Sequence, residues 1–97
     1  MYKLSSLAAE DFVAIYEYTL LNFGSHQADA YTDGLEDTLR LLCNSPEMGH
    51  ECPEIADGVR RHDHQQHAIF YRHREQDIFI IRLLHQQMEP IKHFFEL

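Results

Sequence analysis

The sequence predicts an α+β domain in which an N-terminal helical hairpin packs on a small antiparallel sheet, in the order β-α-α-β-β-β-α. Three observations carry this expectation. Apolar residues recur at steps of three and four from Ala8 to Leu42, which is the period of a helix face. From Gly58 the pattern changes to short runs rich in β-branched and aromatic residues, which suit a pleated sheet. The length of 97 residues suits one domain, residues 1–97, large enough to bury a core without disulfides or a metal.

The opening segment Tyr2-Lys3-Leu4-Ser5 alternates weakly and reads as a short strand. Ser5 or Ser6 then offers a hydroxyl to cap a helix, with Glu10 and Asp11 early enough to favour its dipole. One face of that helix is Ala8, Phe12, Ile15, Tyr16, Thr19 and Phe23, and Gly24 ends it. Ser25 is placed to cap a second helix with Ala28, Tyr31, Leu35, Leu39 and Leu42 on its apolar face. Gly34 inside it costs about 1 kcal/mol relative to alanine, and is expected to admit close packing of the first helix. Asn44-Ser45-Pro46 stops the second helix. The connection between the helices is so short that they must run antiparallel.

Residues 45–57, with Pro46, Gly49, Pro53 and several acids, show no period and read as a long loop. Val59-Arg60-Arg61-His62 is a short strand, Asp63 to Gln66 a turn, and His67 to Arg72 a second strand. Arg74 to Asp77 is a polar turn. Ile78 to Leu84 holds seven residues with one charge, as expected of a central strand covered on both faces. Pro90 opens a terminal helix, with Phe94 and Phe95 expected to pack back on the domain.

Charge narrows the partners. The formal net charge is −8. Residues 1–57 hold two bases and eleven acids, whereas residues 58–97 hold six bases and five acids. A nucleic-acid binder normally displays a basic face from which counterions are released, so direct nucleic-acid binding is disfavoured. No run approaches the roughly 20 apolar residues of a membrane span, and no apolar signal core follows Met1, so the expected location is the cytoplasm. Cys43 and Cys52 fit reduced, structural thiols there. No cofactor is implied.

Candidate chemistry is sparse. His62, His64 and His67 share a hairpin and invite a metal site, but no accompanying Cys pair or zinc-helix motif supports one, and a polar hairpin tip explains them more simply. Neighbouring acids such as Glu10 and Asp11, or Glu36 and Asp37, point apart on a helix. No nucleophile motif or phosphate loop is present, and no catalytic residue is assigned. The arginines of the second half stand out, because an unpaired buried arginine costs several kcal/mol. If Phe79, Ile81 and Leu83 meet the helices, Arg82 lies on the open side of the sheet. Arg60, Arg72 and Tyr71 would then complete a binding groove, and structural ion pairs with the acidic helices are the alternative.

These residues also carry a resemblance. Leu4-Ser5-x-x-Ala8-Ala9-x-Asp11 followed by Ile15-x-x-Tyr18 resembles the first helix of ParE-type toxins, and Gly24, Ala28, Tyr31, Leu35 and Leu39 the second. Pro46-x-x-Gly49, Gly58-Val59-Arg60, His67-Ala68-Ile69-Phe70-Tyr71-Arg72 and Ile80-Ile81-Arg82-Leu83-Leu84-His85 resemble the turn and strands that follow. Six pieces in order identify the chain as similar to the RelE/ParE toxin superfamily of type II toxin–antitoxin systems. The resemblance implies a RelE/ParE-like fold and two partners, a cognate antitoxin that neutralises the toxin and DNA gyrase, which ParE members poison without being enzymes. Arg60, Arg61, Tyr71, Arg72, Arg82 and His85 then become target- or antitoxin-binding candidates. The rival within the superfamily is a RelE-like ribosome-dependent mRNA endoribonuclease, with Arg60, Arg61, Arg82 and His85 cast around a phosphate. The net charge and Gln86-Gln87 after His85, where related nucleases place a tyrosine or further bases, weigh against it. A binding module without toxicity is a third reading, and the hairpin is compatible with a homodimer. The chain departs from the family in its acidic helical half and in Glu51, Glu54 and Asp57 before the sheet, with His50 where a base is common. The matching antitoxin segment is expected to be basic or to dock through apolar contacts.

Overall fold

A computed structural model describes residues 1–95. It has the expected order with two additions in the loop, a 3-10 turn and a two-residue strand: β1 (Tyr2–Leu4), α1 (Ser6–Phe23), α2 (Ser25–Asn44), the 3-10 turn (Pro46–Met48), β2 (His50–Glu51), β3 (Val59–His64), β4 (His67–His73), β5 (Ile78–His85) and α3 (Pro90–Phe95). The sheet order is β1-β5-β4-β3-β2, antiparallel except that β1 runs parallel to β5. The strongest strand of the sequence, β5, is therefore flanked on both sides.

Helix boundaries follow local chemistry. Ser5 is the cap of α1, its hydroxyl accepting from the Ala8 N–H at 2.9 Å. Glu10 and Asp11 fall beyond the first turn, so neither serves the dipole as expected. Gly24, at φ 91°, both ends α1 and caps α2. Its left-handed backbone reverses the chain in one residue, which leaves Ser25 inside α2 and not at its cap.

The sheet buries both faces. On the helix side Ile69, Tyr71, Ile78, Ile80 and Leu83 pack against Ala8, Ile15, Leu35, Leu39 and Leu42. The opposite face is not open. Val59, Ala68, Phe70 and Leu84 are covered by Cys52 and Ile55 of the connecting loop, with Ile81 and Phe94 at the margin. Phe94 thus packs back as expected, while the side chain of Phe95 lies outside the described part. Phe23, expected on the buried face of α1, is 68% exposed. Gly34 meets the imidazole of His64, 3.6 Å from where a Cβ would stand, and so admits β3 instead of the first helix.

A β-bulge governs the rest. Phe70 pairs with Arg82 and Tyr71 with Ile80, so Ile81 is the extra residue. A bulge shifts the side-chain alternation by one position. The helix-facing residues of β5 are accordingly Ile78, Ile80 and Leu83, not the expected series Phe79, Ile81, Leu83. The turn between β3 and β4 is also tighter than expected. Only Gln65 and Gln66 lie outside the strands, with Gln65 at φ 50°.

Candidate functional site

The six candidate residues do not form one groove; they fall into four environments. The first is the bulge. Extra residues in a ladder leave backbone groups unpaired, and such groups need partners when buried. α1 supplies them. The Ser5 hydroxyl donates to the Ile81 carbonyl at 2.7 Å. The Asp11 carboxylate accepts from the Leu83 N–H at 3.0 Å and takes both arms of Arg82, Nε at 2.8 Å and Nη2 at 3.0 Å. Nη1 of Arg82 reaches the His93 carbonyl of α3 at 3.2 Å. The pair is largely buried, 15% and 16% exposed, and the Asp11 hydrogen bonds raise the Arg82 pKa against the opposing effect of burial. Arg82 therefore fastens α1 and α3 to the bulge and does not offer a free guanidinium.

The second environment is a knot at the far edge of the sheet. Tyr71 is fully buried, and its hydroxyl donates to the Pro46 carbonyl at 2.6 Å and accepts from the Gly49 N–H at 2.9 Å. Burial pushes the Tyr71 phenol up in pKa, consistent with a neutral donor. Arg60 pairs with Tyr71 across the ladder, and its Nη1 donates to the Gly49 carbonyl at 2.6 Å. A Cβ on Gly49 would stand 2.6 Å from the Tyr71 hydroxyl and 2.8 Å from the Arg61 carbonyl, so only glycine fits. Tyr71 and Arg60 thus shape the 3-10 turn and β2.

Arg61 and Arg72 make the third environment, on the second face. Arg61 pairs with Asp63 at 2.8 Å and lies 5.5 Å from the Phe70 ring centre. Arg72 is exposed and holds the Asp57 carbonyl at 3.0 Å. Cation–ring and surface ion-pair contacts of this kind are weak, so these two guanidinium groups are less firmly held than those of Arg60 and Arg82, although the Arg61 side chain is only 24% exposed.

His85 is the fourth, alone among the candidates in a cleft between the helices and the β3–β4 turn. Its ring stands edge-on to His67, 5.5 Å between centres. His67 Nδ1 lies 2.6 Å from the Tyr31 hydroxyl, and His64 Nδ1 lies 2.8 Å from Thr38 Oγ1. Burial and the neighbouring His85 and His64 push His67 down to about 4, and burial lowers His64 as well. Sequence reasoning noticed these histidines but not Tyr31 and Thr38 as their partners; the signal was their polarity on the inner side of α2. Among the described residues, no three His, Cys, Asp or Glu side chains converge as a metal site. Cys43 and Cys52 are both unbridged.

Two of the resembling strings thus meet at the bulge, and three more meet at the Gly49 knot. Comparison with known proteins decides what the pattern belongs to: residues 2–90 match the family described as the ParE toxin of type II toxin-antitoxin system, parDE. The chain belongs to the ParE toxin family. A Toxin ParE1 of Caulobacter vibrioides is 34% identical over 92 residues, covering 95% of each chain. A Toxin ParE1 of Mycobacterium tuberculosis is 33% identical over 89 residues, covering 91% of each. A solved structure titled as the chromosomal ParDE TA system from P. aeruginosa superposes with a TM-score of 0.75. At 22% identity over 87% of this chain and 92% of that one, it supports the fold. Among the described residues of this ParE-family toxin, no helix is long and apolar enough to cross a membrane.

Proposed function

We propose that this ParE-family toxin arrests growth by binding and poisoning DNA gyrase in the cytoplasm, as an inhibitor and not as an enzyme, and that a cognate antitoxin silences it. The observation that carries the reading is the family match across residues 2–90. The state of the arginines supports it. A nuclease that stabilises phosphate charge needs free, converging cations. Here Arg60 is committed to the Gly49 carbonyl and Arg82 to Asp11, and His85 faces His67 and not a cation.

Within this reading Arg61 and Arg72 are the contact residues, because Arg72 is exposed and Arg61 is held only by a surface ion pair and a ring contact. Arg60, Tyr71 and Arg82 act by holding the surface in shape, and His85 lies apart from it in the cleft beside the helices. The antitoxin segment docks against the helices, where Glu17, Asp29, Asp33 and Asp37 are exposed beside exposed Val13 and Leu21. Its matching face is therefore apolar with basic flanks, and binding weakens as salt screens the charges.

The test is purified toxin in a gyrase supercoiling and DNA-cleavage assay, run beside a translating-ribosome mRNA-cleavage assay. Gyrase-dependent DNA cleavage with intact mRNA is the expected result. Cleaved mRNA with unaffected gyrase would overturn it in favour of a RelE-like nuclease, and inactivity in both would favour a binding module.

A further inference from the structure

The second face of the sheet carries a row of side chains that the connecting loop leaves open. Lys3 of β1 pairs with Phe79 of β5, and Phe79 with Arg72 of β4, so the three leave the sheet on one side. Their strand neighbours Tyr2, Leu4, Ile78, Ile80 and Tyr71 pack toward the helices. Side chains alternate along a strand, which puts the row on the second face. Neighbouring strands stand about 4.8 Å apart, so the row is roughly 10 Å long. Cys52 and Ile55 cover Val59, Phe70 and Leu84 on this face, but Phe79 joins neither apolar cluster.

A cation lies over Phe79 instead. The Arg74 guanidinium stands 4.4 Å from the centre of its ring. Asp77 holds that guanidinium, accepting from Nε at 2.6 Å and from Nη2 at 2.7 Å. The Arg74 hydrogen bonds keep the Asp77 carboxyl below its usual range against the effect of burial, and Lys3 adds to them. Asp77 is thereby committed to Arg74. Asp57 gives Arg72 its carbonyl and not its carboxylate. Glu75 in the turn and Asp57 in the loop are exposed. Among the described residues neither pairs with a cation, and Lys3 and Arg72 pair with no carboxylate. Three of the eight Lys and Arg residues of an acidic chain thus flank one aromatic ring. Lys3 is one of only two bases in residues 1–57.

That combination selects its occupant. Ammonium and guanidinium groups without an internal carboxylate take one from outside, arginine in bidentate form. The Phe79 ring between them offers an apolar floor to a side chain beside those carboxylates. Three or four residues of extended chain, at about 3.3 Å each, span the row. A nucleic-acid strand fits less well. It carries a charge at every phosphate, and the net charge of −8 repels such a polyanion beyond the few contacts the row supplies.

We infer that this row is a docking site for an acidic, extended segment of a protein partner, whose carboxylates reach Lys3 and Arg72 and whose apolar side chain covers Phe79. The inference deepens the reading of Arg72 as a target contact and rests on it: the segment belongs to the poisoned gyrase, while the antitoxin, placed on the helices, docks elsewhere.

The test has two arms. In the first, the full chain is titrated by NMR with the blocked peptide Asp-Glu-Leu-Asp-Glu, with its uncharged counterpart Asn-Gln-Leu-Asn-Gln, and with an oligothymidylate of equal length. The acidic peptide is expected to give saturable shifts at the amides of Lys3, Arg72 and Phe79. It should bind roughly fivefold or more tightly than the uncharged peptide or the oligonucleotide. Lys3→Glu, at an exposed position, should weaken that binding by roughly fivefold or more, and Arg72→Gln in the same direction. Lys92→Glu, the same charge change on α3, should weaken it by less than about twofold. In the second arm, gyrase-dependent DNA cleavage should fall roughly fivefold or more with Lys3→Glu and not with Lys92→Glu. Absence of saturable shifts with the acidic peptide, tighter binding of the oligonucleotide, or equal losses in Lys3→Glu and Lys92→Glu overturn the inference. So does full gyrase activity of a folded Lys3→Glu protein where the parent poisons gyrase. A parent without effect on gyrase is a failure of the gyrase reading, and the peptide arm then decides the docking site by itself.

Discussion

The strand arginines are put to opposite uses in different parts of the sheet. At the bulge beside α1, Asp11 and Arg82 satisfy each other, and on the helix side Arg60, Tyr71 and Gly49 close a second knot. On the second face, Arg61 holds a surface carboxylate and lies over the Phe70 ring, and Arg72 holds a loop carbonyl. The lesson is that family resemblance and partner contact are different signals. Several polar residues that make this chain look like a ParE toxin, Ser5, Asp11, Arg60, Tyr71 and Arg82, are consumed in holding the bulge and the Gly49 turn. The proposed partner contacts, Arg61 and Arg72, are the arginines with the weakest internal engagement.

The contrast is sharpest at Arg82. Removing it leaves Asp11 buried without its counter-charge, and breaking such a pair costs about 3 kcal/mol, slightly tempered here by partial exposure. Arg82→Ala is therefore expected to lose toxicity by destabilising the fold. Circular dichroism melting of Arg82→Ala and Asp11→Ala should give large, similar drops. Gly49→Ala comes next: the added methyl meets the Tyr71 hydroxyl and the Arg61 backbone, and overpacking of this kind costs roughly 1–3 kcal/mol, measurable by urea unfolding. If Gly49→Ala is as stable as the parent, the knot is looser than described.

Acid stability gives a smaller effect with a fixed sign. The folded protein keeps His67 unprotonated down to about 4, while the unfolded chain takes up the proton near 6.5. This stabilisation is complete above pH 6.5 and is lost as pH falls from 6.5 through 4, and His64 shifts in the same direction. Urea midpoints measured across that window should fall less steeply in His67→Asn than in the parent. Equal slopes would mean that the imidazole is not held neutral. Smallest in stability is Arg72→Ala, expected within about 0.5 kcal/mol of the parent, yet reduced in growth arrest and in gyrase-dependent DNA cleavage.

Much of the fold was legible because helix periodicity and β-rich runs report directly on which residues can be buried. The face of α2 from Ala28 to Leu42 is an instance: four of its five residues are fully buried. The bulge was not legible, since nothing in Ile80-Ile81-Arg82 distinguishes an extra residue from regular alternation, and parity beyond it was misassigned. The tight Gln65–Gln66 turn was hidden for a similar reason, as neither residue is of the glycine or asparagine type that signals left-handed backbone. The site was legible only as a list. Tyr71 and Arg61 lie ten residues apart on neighbouring strands, and strand pattern alone does not say that one is sealed under Pro46 and Gly49 while the other stacks on the opposite face. The cover of that face, Cys52 and Ile55, comes from a stretch without period.

The most direct measurement is a paired thermal unfolding of Arg82→Ala and Arg72→Ala. For a domain of this size about 1 kcal/mol corresponds to roughly 4–8 °C. A fall of roughly 10 °C or more in Arg82→Ala beside a shift of only a few degrees in Arg72→Ala is the expected result. An Arg82→Ala protein that melts with the parent would contradict the division between arginines that hold the fold and arginines that are free to meet a partner.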